Sequence, residues 1–126
     1  MPEAEGAILT FAGLGADSLI ARGGAPAAFA QSYKDKFGVE LTNSYAMYGV
    51  AALQVILEGI KASDGTRAGV TNAVLSGSGV TVPADISALG NEIHLGPATG
   101  DTTALDMTIL GVVGNVEKTI MPWVIQ

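Results

Sequence analysis

Residues 43–61, NSYAMYGVAALQVILEGIK, constrain the fold of this chain more than any other stretch. Asn43 and Ser44 offer side-chain oxygens to backbone N–H groups that have no partner at a helix start. Val50, Leu53, Ile56, Leu57 and Ile60 then recur at helical spacing. Tyr45, Tyr48, Gly49 and Ala52 make the opening turns aromatic yet small enough for close contact. Only Gln54, Glu58 and Lys61 interrupt the apolar surface. A helix with so little polar surface normally packs on a sheet or between layers, so this one is expected to be the most buried helix of an α/β unit.

A length of 126 residues suits one ordinary domain. With 48% hydrophobic and only 14% charged residues, the chain has the composition of a folded protein. It also has few side chains to keep apolar patches wet, so an unusual share of its surface is expected to lie against something else. Twelve acidic against six basic residues give a net charge of −6. Without clustered Lys and Arg to neutralise phosphates, neither nucleic acid nor an anionic membrane surface is an expected partner. The absence of cysteine removes disulfides, thiolate catalysis and cysteine metal sites together. No stretch reaches the about 20 apolar residues of a membrane-spanning helix. Residues 7–16 have the small apolar character of a secretory core, but Glu3 and Glu5 precede them where basic residues belong, so no signal peptide is read here.

Residues 5–12 form a short apolar run closed by Gly13 and read as a buried strand. Residues 13–24, rich in glycine, read as a loop. Pro26 suits the first turn of a helix over 26–37, and Gly38 suits the left-handed position that ends it. Phe29, Tyr33 and Phe37 place one aromatic stripe on that helix, expected to belong to the core. Ser63-Asp64-Gly65-Thr66 supplies a turn and a cap for a third helix, carried by Val70, Ala73 and Val74 and ending near Gly77. Strands are then expected at 80–82, 93–95, 105–113 and 116–124, the last two joined as a hairpin at Gly114-Asn115. Strand, three helices, then strands is an order that leaves the helices without a sheet large enough to bury them, so the chain reads as part of a larger fold.

Chemistry-bearing residues are sparse. Gly13-Leu14-Gly15-Ala16-Asp17-Ser18 follows a strand as a phosphate-cradling G-x-G-x-x-G would, but the next helix signal is Pro26 and the third glycine is Ser18. His94, the single histidine, has Glu92 nearby and no second imidazole, which fits a half-exposed strand residue. Asp101 and Asp106 flank a turn without the ligand spacing of a calcium loop. Serines 32, 44, 63, 76, 78 and 87 lack a nucleophile-elbow context. No catalytic, metal or cofactor residues are therefore assigned, and the protein is not expected to be an enzyme. Tyr45 lies where a connection becomes a helix, where its ring can line a cleft or simply pack.

The succession Ala4-Glu5-Gly6-Ala7-Ile8-Leu9-Thr10, then Phe29, Tyr33 and Phe37-Gly38 at intervals of four, then Leu53-Gln54-Val55-Ile56-Leu57-Glu58-Gly59-Ile60, then Thr66-Arg67 at a helix start, resembles the C-terminal third of type I periplasmic solute-binding proteins. The nearest group is the leucine/isoleucine/valine-binding family of ABC importers. The match spans residues 4–76; beyond it lie Gly96 to Asp101, similar to that family's glycine-aspartate turn, and the final hairpin. What this implies is an α/β fold that is part of a two-lobed binding protein. Residues 1–41 would end one lobe, 42–82 would be the helical part of the other, and 83–126 would carry a crossing segment and strands returning to the first. Crossings would fall near Thr42 and within 83–100.

By the same resemblance the intact protein is extracytoplasmic, traps an amino acid of the branched-chain type by lobe closure, and delivers it to an ABC permease. Family members set an aromatic ring against the ligand just before the long helix. Tyr45 falls there, with Tyr48 as the alternative if the register slips. Many members have Tyr-Asp-Ala where this chain has Val50-Ala51-Ala52, which leaves the ligand open, and sensory receptors share the lobed fold. Apolar faces left without their parent sheet lead to an expectation of homo-oligomers, with exchange of terminal strands as one route. A self-contained, non-enzymatic interaction or ligand-sensing module is the alternative.

Overall fold

The computed structural model describes residues 4–76, 78–96, 100–114 and 116–124, with the side chains of 116, 117 and 122–124 left aside. It is a mixed α/β structure. The order is β1 (Ile8–Ala12), α1 (Ala16–Ala21), α2 (Gly24–Phe37), α3 (Ser44–Lys61), α4 (Arg67–Leu75), β2 (Val80–Val82), β3 (Ile93–Leu95), β4 (Asp106–Val113) and β5 (Val116–Val124). Contacts divide it into two compact units, one built on β1, β4 and β5, the other Ala16–Ala104.

The first unit is a three-stranded antiparallel sheet in the order β1-β4-β5. Its hairpin turns at Gly114, whose φ of 65° lies where a side chain is costly; Asn115, the other half of the expected turn, lies outside the described residues. The register shifts between Ile109 and Leu110, a bulge that leaves Ile120 as the additional residue of β5. Ile120 folds across Gly111, where any Cβ would collide with it. Thr108 is buried, and its hydroxyl donates to the Gly13 carbonyl at 2.6 Å, fastening the end of β1 to β4. The strand expected near the N-terminus is present, but the expectation that it is buried is overturned. Ile8 is 71% exposed and Leu9 47%. Successive residues of a strand face opposite sides, so both faces of this sheet carry open apolar surface.

Among its described residues the second unit holds four helices where three were expected. The glycine-rich segment 13–24 is not all loop: α1 forms within it because Leu19, fully buried, and Ala16 anchor that turn in the core. α2 ends as read, with Gly38 at φ 72° donating its N–H to the Lys34 carbonyl at 2.7 Å. Its aromatic stripe is not core. The Tyr33 ring lies 6.4 Å from Phe29 and 4.7 Å from Phe37, but Phe29 and Tyr33 are half-buried and Phe37 is exposed, so the rings mainly cover one another. Pro26 is the one residue that α2 buries.

Both later caps form where the sequence places them: Asn43 Oδ1 accepts from Tyr45 N at 2.9 Å, and Thr66 Oγ1 from Gly69 N at 3.0 Å. α3 buries more residues than any other helix, as expected, but not through its large apolar side chains. Its buried face is the small one, Ser44, Met47, Ala51, Val55 and Gly59, while Leu53, Ile56, Leu57 and Ile60 are 44–53% exposed. The reason is visible at Gly59. A Cβ there would lie 2.7 Å from Val74 Cγ2, so α4 crosses α3 on its small side and leaves the large side uncovered.

The short pair β2-β3 is antiparallel, and β2 packs on α3 with Val80 and Val82 buried. Gly79, at φ 73°, admits the Leu95 carbonyl where a Cβ would otherwise stand. Among the described residues no helix is long and apolar enough to cross a membrane.

Candidate functional site

The two ring positions singled out for a ligand open α3. Leu41 is buried just ahead, and Asn43, in extended conformation, turns the chain into the helix. With its own N–H held by Asn43, Tyr45 sits in the first turn with its side of the helix outward, 67% exposed; Tyr48, one turn on, is half-buried. Residues three apart are neighbours on a helix surface, so the two phenols lie on one side of the α3 N-terminus. A phenol offers an apolar face and a hydroxyl together, which suits contact with an aliphatic side chain beside a polar group.

A hollow of about 430 Å³ lies elsewhere in the same unit, between the end of α3, α4 and the approach to β2. Ser63, Asp64, Asn72, Ser76 and Ser78 line it. Asp64 Oδ1 accepts from the Thr66 hydroxyl at 2.7 Å and from Thr66 N at 3.0 Å. These bonds, the hydroxyl foremost, hold the Asp64 carboxyl below the usual carboxylate range. Gly69 leaves the room that the carboxylate occupies. These interactions account for Asp64 as part of the α4 cap. The sequence marked this stretch as a turn and cap, and nothing in it signalled a concavity.

The remaining candidates stay apart. His94 is half-buried in β3, where Nδ1 and the Thr81 hydroxyl of the paired strand lie 2.9 Å apart in a hydrogen bond whose direction follows the imidazole tautomer. Its main chain is tied to Thr103, through Thr103 Oγ1 at 3.0 Å and Thr103 N at 2.9 Å. Asp101 closes a turn by accepting Gly96 N on its carbonyl at 3.3 Å; residues 97–99 of the expected glycine-aspartate turn lie outside the described residues. Asp106 opens β4 in the other unit.

One ground for setting aside the Gly13-x-Gly15 run is overturned, because α1 starts at Ala16. The other stands: Ser18 replaces the third glycine, and its N–H is taken by Asp17 Oδ1 at 2.8 Å. No group of three His, Cys, Asp or Glu suited to a metal occurs among the described residues. No protein-family model, curated protein or solved structure matches the chain.

Proposed function

We propose that this chain is a portion of an extracytoplasmic solute-binding component of an ABC importer, one that binds an amino acid of the branched-chain type and delivers it by lobe closure to a permease. The observation that carries the reading is the α3 surface. An 18-residue helix that turns Leu53, Ile56, Leu57 and Ile60 outward has the side chains of a helix between two layers and only one layer in place. Open apolar side chains on both faces of β1 repeat the pattern. In the proposed protein further polypeptide covers these faces, and Tyr45, with Tyr48 beside it, contributes a ring to the solute cleft. The residues that would hold the solute's ammonium and carboxylate come from that further polypeptide. Binding and closure need no covalent step, so the role is non-enzymatic.

Calorimetry with leucine, isoleucine and valine tests this. The 126-residue chain by itself is expected to show no micromolar binding, because charged ends left unpaired in a cleft cost more than ring contacts return. The full product of the gene is expected to bind one of them, and Tyr45→Ala to weaken that binding about tenfold or more, in the range of a lost aromatic contact. Micromolar binding by the 126 residues alone, or a gene product with no affinity for amino acids, contradicts the proposal.

The same open face favours one other reading, a self-contained module in which a second copy covers α3. It predicts a gene that encodes these residues only and a stable homo-oligomer.

A further inference from the structure

Between β2 and β3 the chain does not take the shortest route. Residues 83–90 fold into tight turns, with Ser87 N donating to the Pro83 carbonyl at 3.0 Å and Gly90 N to the Ser87 carbonyl at 3.0 Å. Ser87, Ala88 and Leu89 are buried, although they belong to no strand or helix. A buried loop has to satisfy its backbone polar groups locally or through side chains.

Two long polar side chains from different elements supply part of that. Gln54, on α3, donates from Nε2 to the Ile86 carbonyl at 2.6 Å and accepts from Ala88 N on Oε1 at 3.0 Å. Its amide thus meets the loop as another peptide group would. Arg22, just after α1, donates from Nη1 to the Leu89 carbonyl at 2.6 Å. Gly90 then passes close over the start of α2: a Cβ there would lie 3.0 Å from Pro26 Cγ and 3.2 Å from Arg22 Cβ. The segment is therefore fastened to α3 at Ile86 and Ala88 and to the α1–α2 junction at Leu89 and Gly90.

Apart from this segment, the α1–α2 pair is held by three buried residues. α2 buries Pro26 alone, at its first turn, and α1 contributes Ala16 and Leu19. Segments with few buried apolar contacts open at lower free energy than the core around them.

We infer that residues 83–90 are a strap whose fasteners, Gln54 and Arg22, couple the α1–α2 pair to α3, and that the pair is the part of Ala16–Ala104 that opens first when the strap is loosened. This does not rest on the transport reading. The strap turns a loop into the joint between two groups of helices, and Gln54, which otherwise only interrupts an apolar helix, is its closing residue.

Hydrogen exchange on the intact protein tests the inference. In Gln54→Leu and in Arg22→Leu, amides of residues 16–38 are expected to exchange about tenfold or more faster, while those of residues 47–60 keep their rates, as separate opening units require. Gln54→Glu keeps the acceptor for Ala88 N and loses the donor to Ile86, so it is expected to fall between. Native-state exchange of the unsubstituted protein in low urea decides the matter even if a variant does not fold. There the 16–38 amides are expected to exchange through an opening with a smaller urea dependence than that of the α3 core. Exchange of both regions through one common opening, or variants whose 16–38 amides keep their rates, would overturn the inference.

Discussion

Asp64 does several jobs with one oxygen. Its Oδ1 accepts both the hydroxyl and the N–H of Thr66, and Thr66 in turn caps α4 through Gly69 N. Because those bonds are made to the ionised form, the folded-state value is lowered from 3.8, and the sign of the linkage follows. The contribution is complete above the unfolded value of 3.8 and is lost as pH falls through the lower folded value. The N–H groups of Thr66 and Gly69 are therefore expected to lose exchange protection in acid, below that unfolded value. Asp64→Asn keeps an acceptor oxygen but cannot titrate, so it should flatten that dependence; an NMR pH titration following the Thr66 amide gives the answer. An unchanged profile in Asp64→Asn would mean that the acid response comes from another carboxylate. Residue-level chemistry of this kind was legible in the sequence wherever it is local. Asn43 and Thr66 stand a fixed few residues from the donors that they cap. Gln54 and Arg22 were not legible, because their acceptors lie 32 and 67 residues away and no local pattern encodes such a distance.

Elements show the same divide. The starts of α3 and α4 followed from their caps and the end of α2 from Gly38, although α2 begins at Gly24, two residues ahead of the expected Pro26; all four later strands followed from alternation and turn residues. α1 did not, since ADSLIA between glycine-rich flanks carries no periodicity long enough to read, and the turn is fixed by where Leu19 lands. Truncating a fully buried leucine costs about 2–5 kcal/mol. Leu19→Ala is therefore expected to lower unfolding stability by that amount in urea, and a loss under about 0.5 kcal/mol, the size of an ordinary surface change, would show that α1 is incidental. Which face of α3 is buried was not legible for a related reason. Periodicity identifies an apolar stripe but not which of two stripes is occupied, and α3 has a small stripe and a large one. The small one is taken because α4 approaches to contact at Gly59, with Val70 and Val74 against it. Alanine is worth about 1 kcal/mol over glycine inside a helix, so a position open to solvent would gain by Gly59→Ala. Here the added methyl meets Val74 at 2.7 Å, and Gly59→Leu adds three further carbons to the same space. Gly59→Leu is expected to destabilise by about 1–3 kcal/mol, the usual range for overpacking, and to loosen α4 before α3. Chemical denaturation of the pair Ala and Leu at 59 measures it. Stability rising in both would place α4 away from α3 in solution.

At the scale of the whole molecule, the question is what becomes of surface that is apolar and open. The low charge fraction leads to an expectation of covered surface, and the structure shows open apolar side chains on the large face of α3 and on both faces of β1. Of the proposed ligand site the sequence offers Tyr45 and Tyr48 alone, through a resemblance, because the other walls of a cleft come from distant parts of a chain and no local pattern encodes them. If nothing covers the α3 face, the protein in isolation is expected to associate as its concentration rises, since leaving such area in water costs about 25 cal/mol for each Å² that a second copy would remove. Sedimentation velocity over a hundredfold concentration range reads this directly. The double substitution Ile56→Glu with Ile60→Lys separates the α3 face from the sheet as the surface responsible. Glutamate four residues ahead of lysine is a favourable pair on an exposed helix, worth about 0.2–0.5 kcal/mol, so the helix itself should survive while its large face becomes polar. Association weakened about tenfold or more, with helical content intact by circular dichroism, assigns the contact to α3. Association that persists unchanged assigns it to β1 and the sheet edges, where unpaired strand groups give a second route between copies. A clean monomer at every concentration, before any substitution, would remove the premise from which both the transport proposal and its oligomeric alternative proceed.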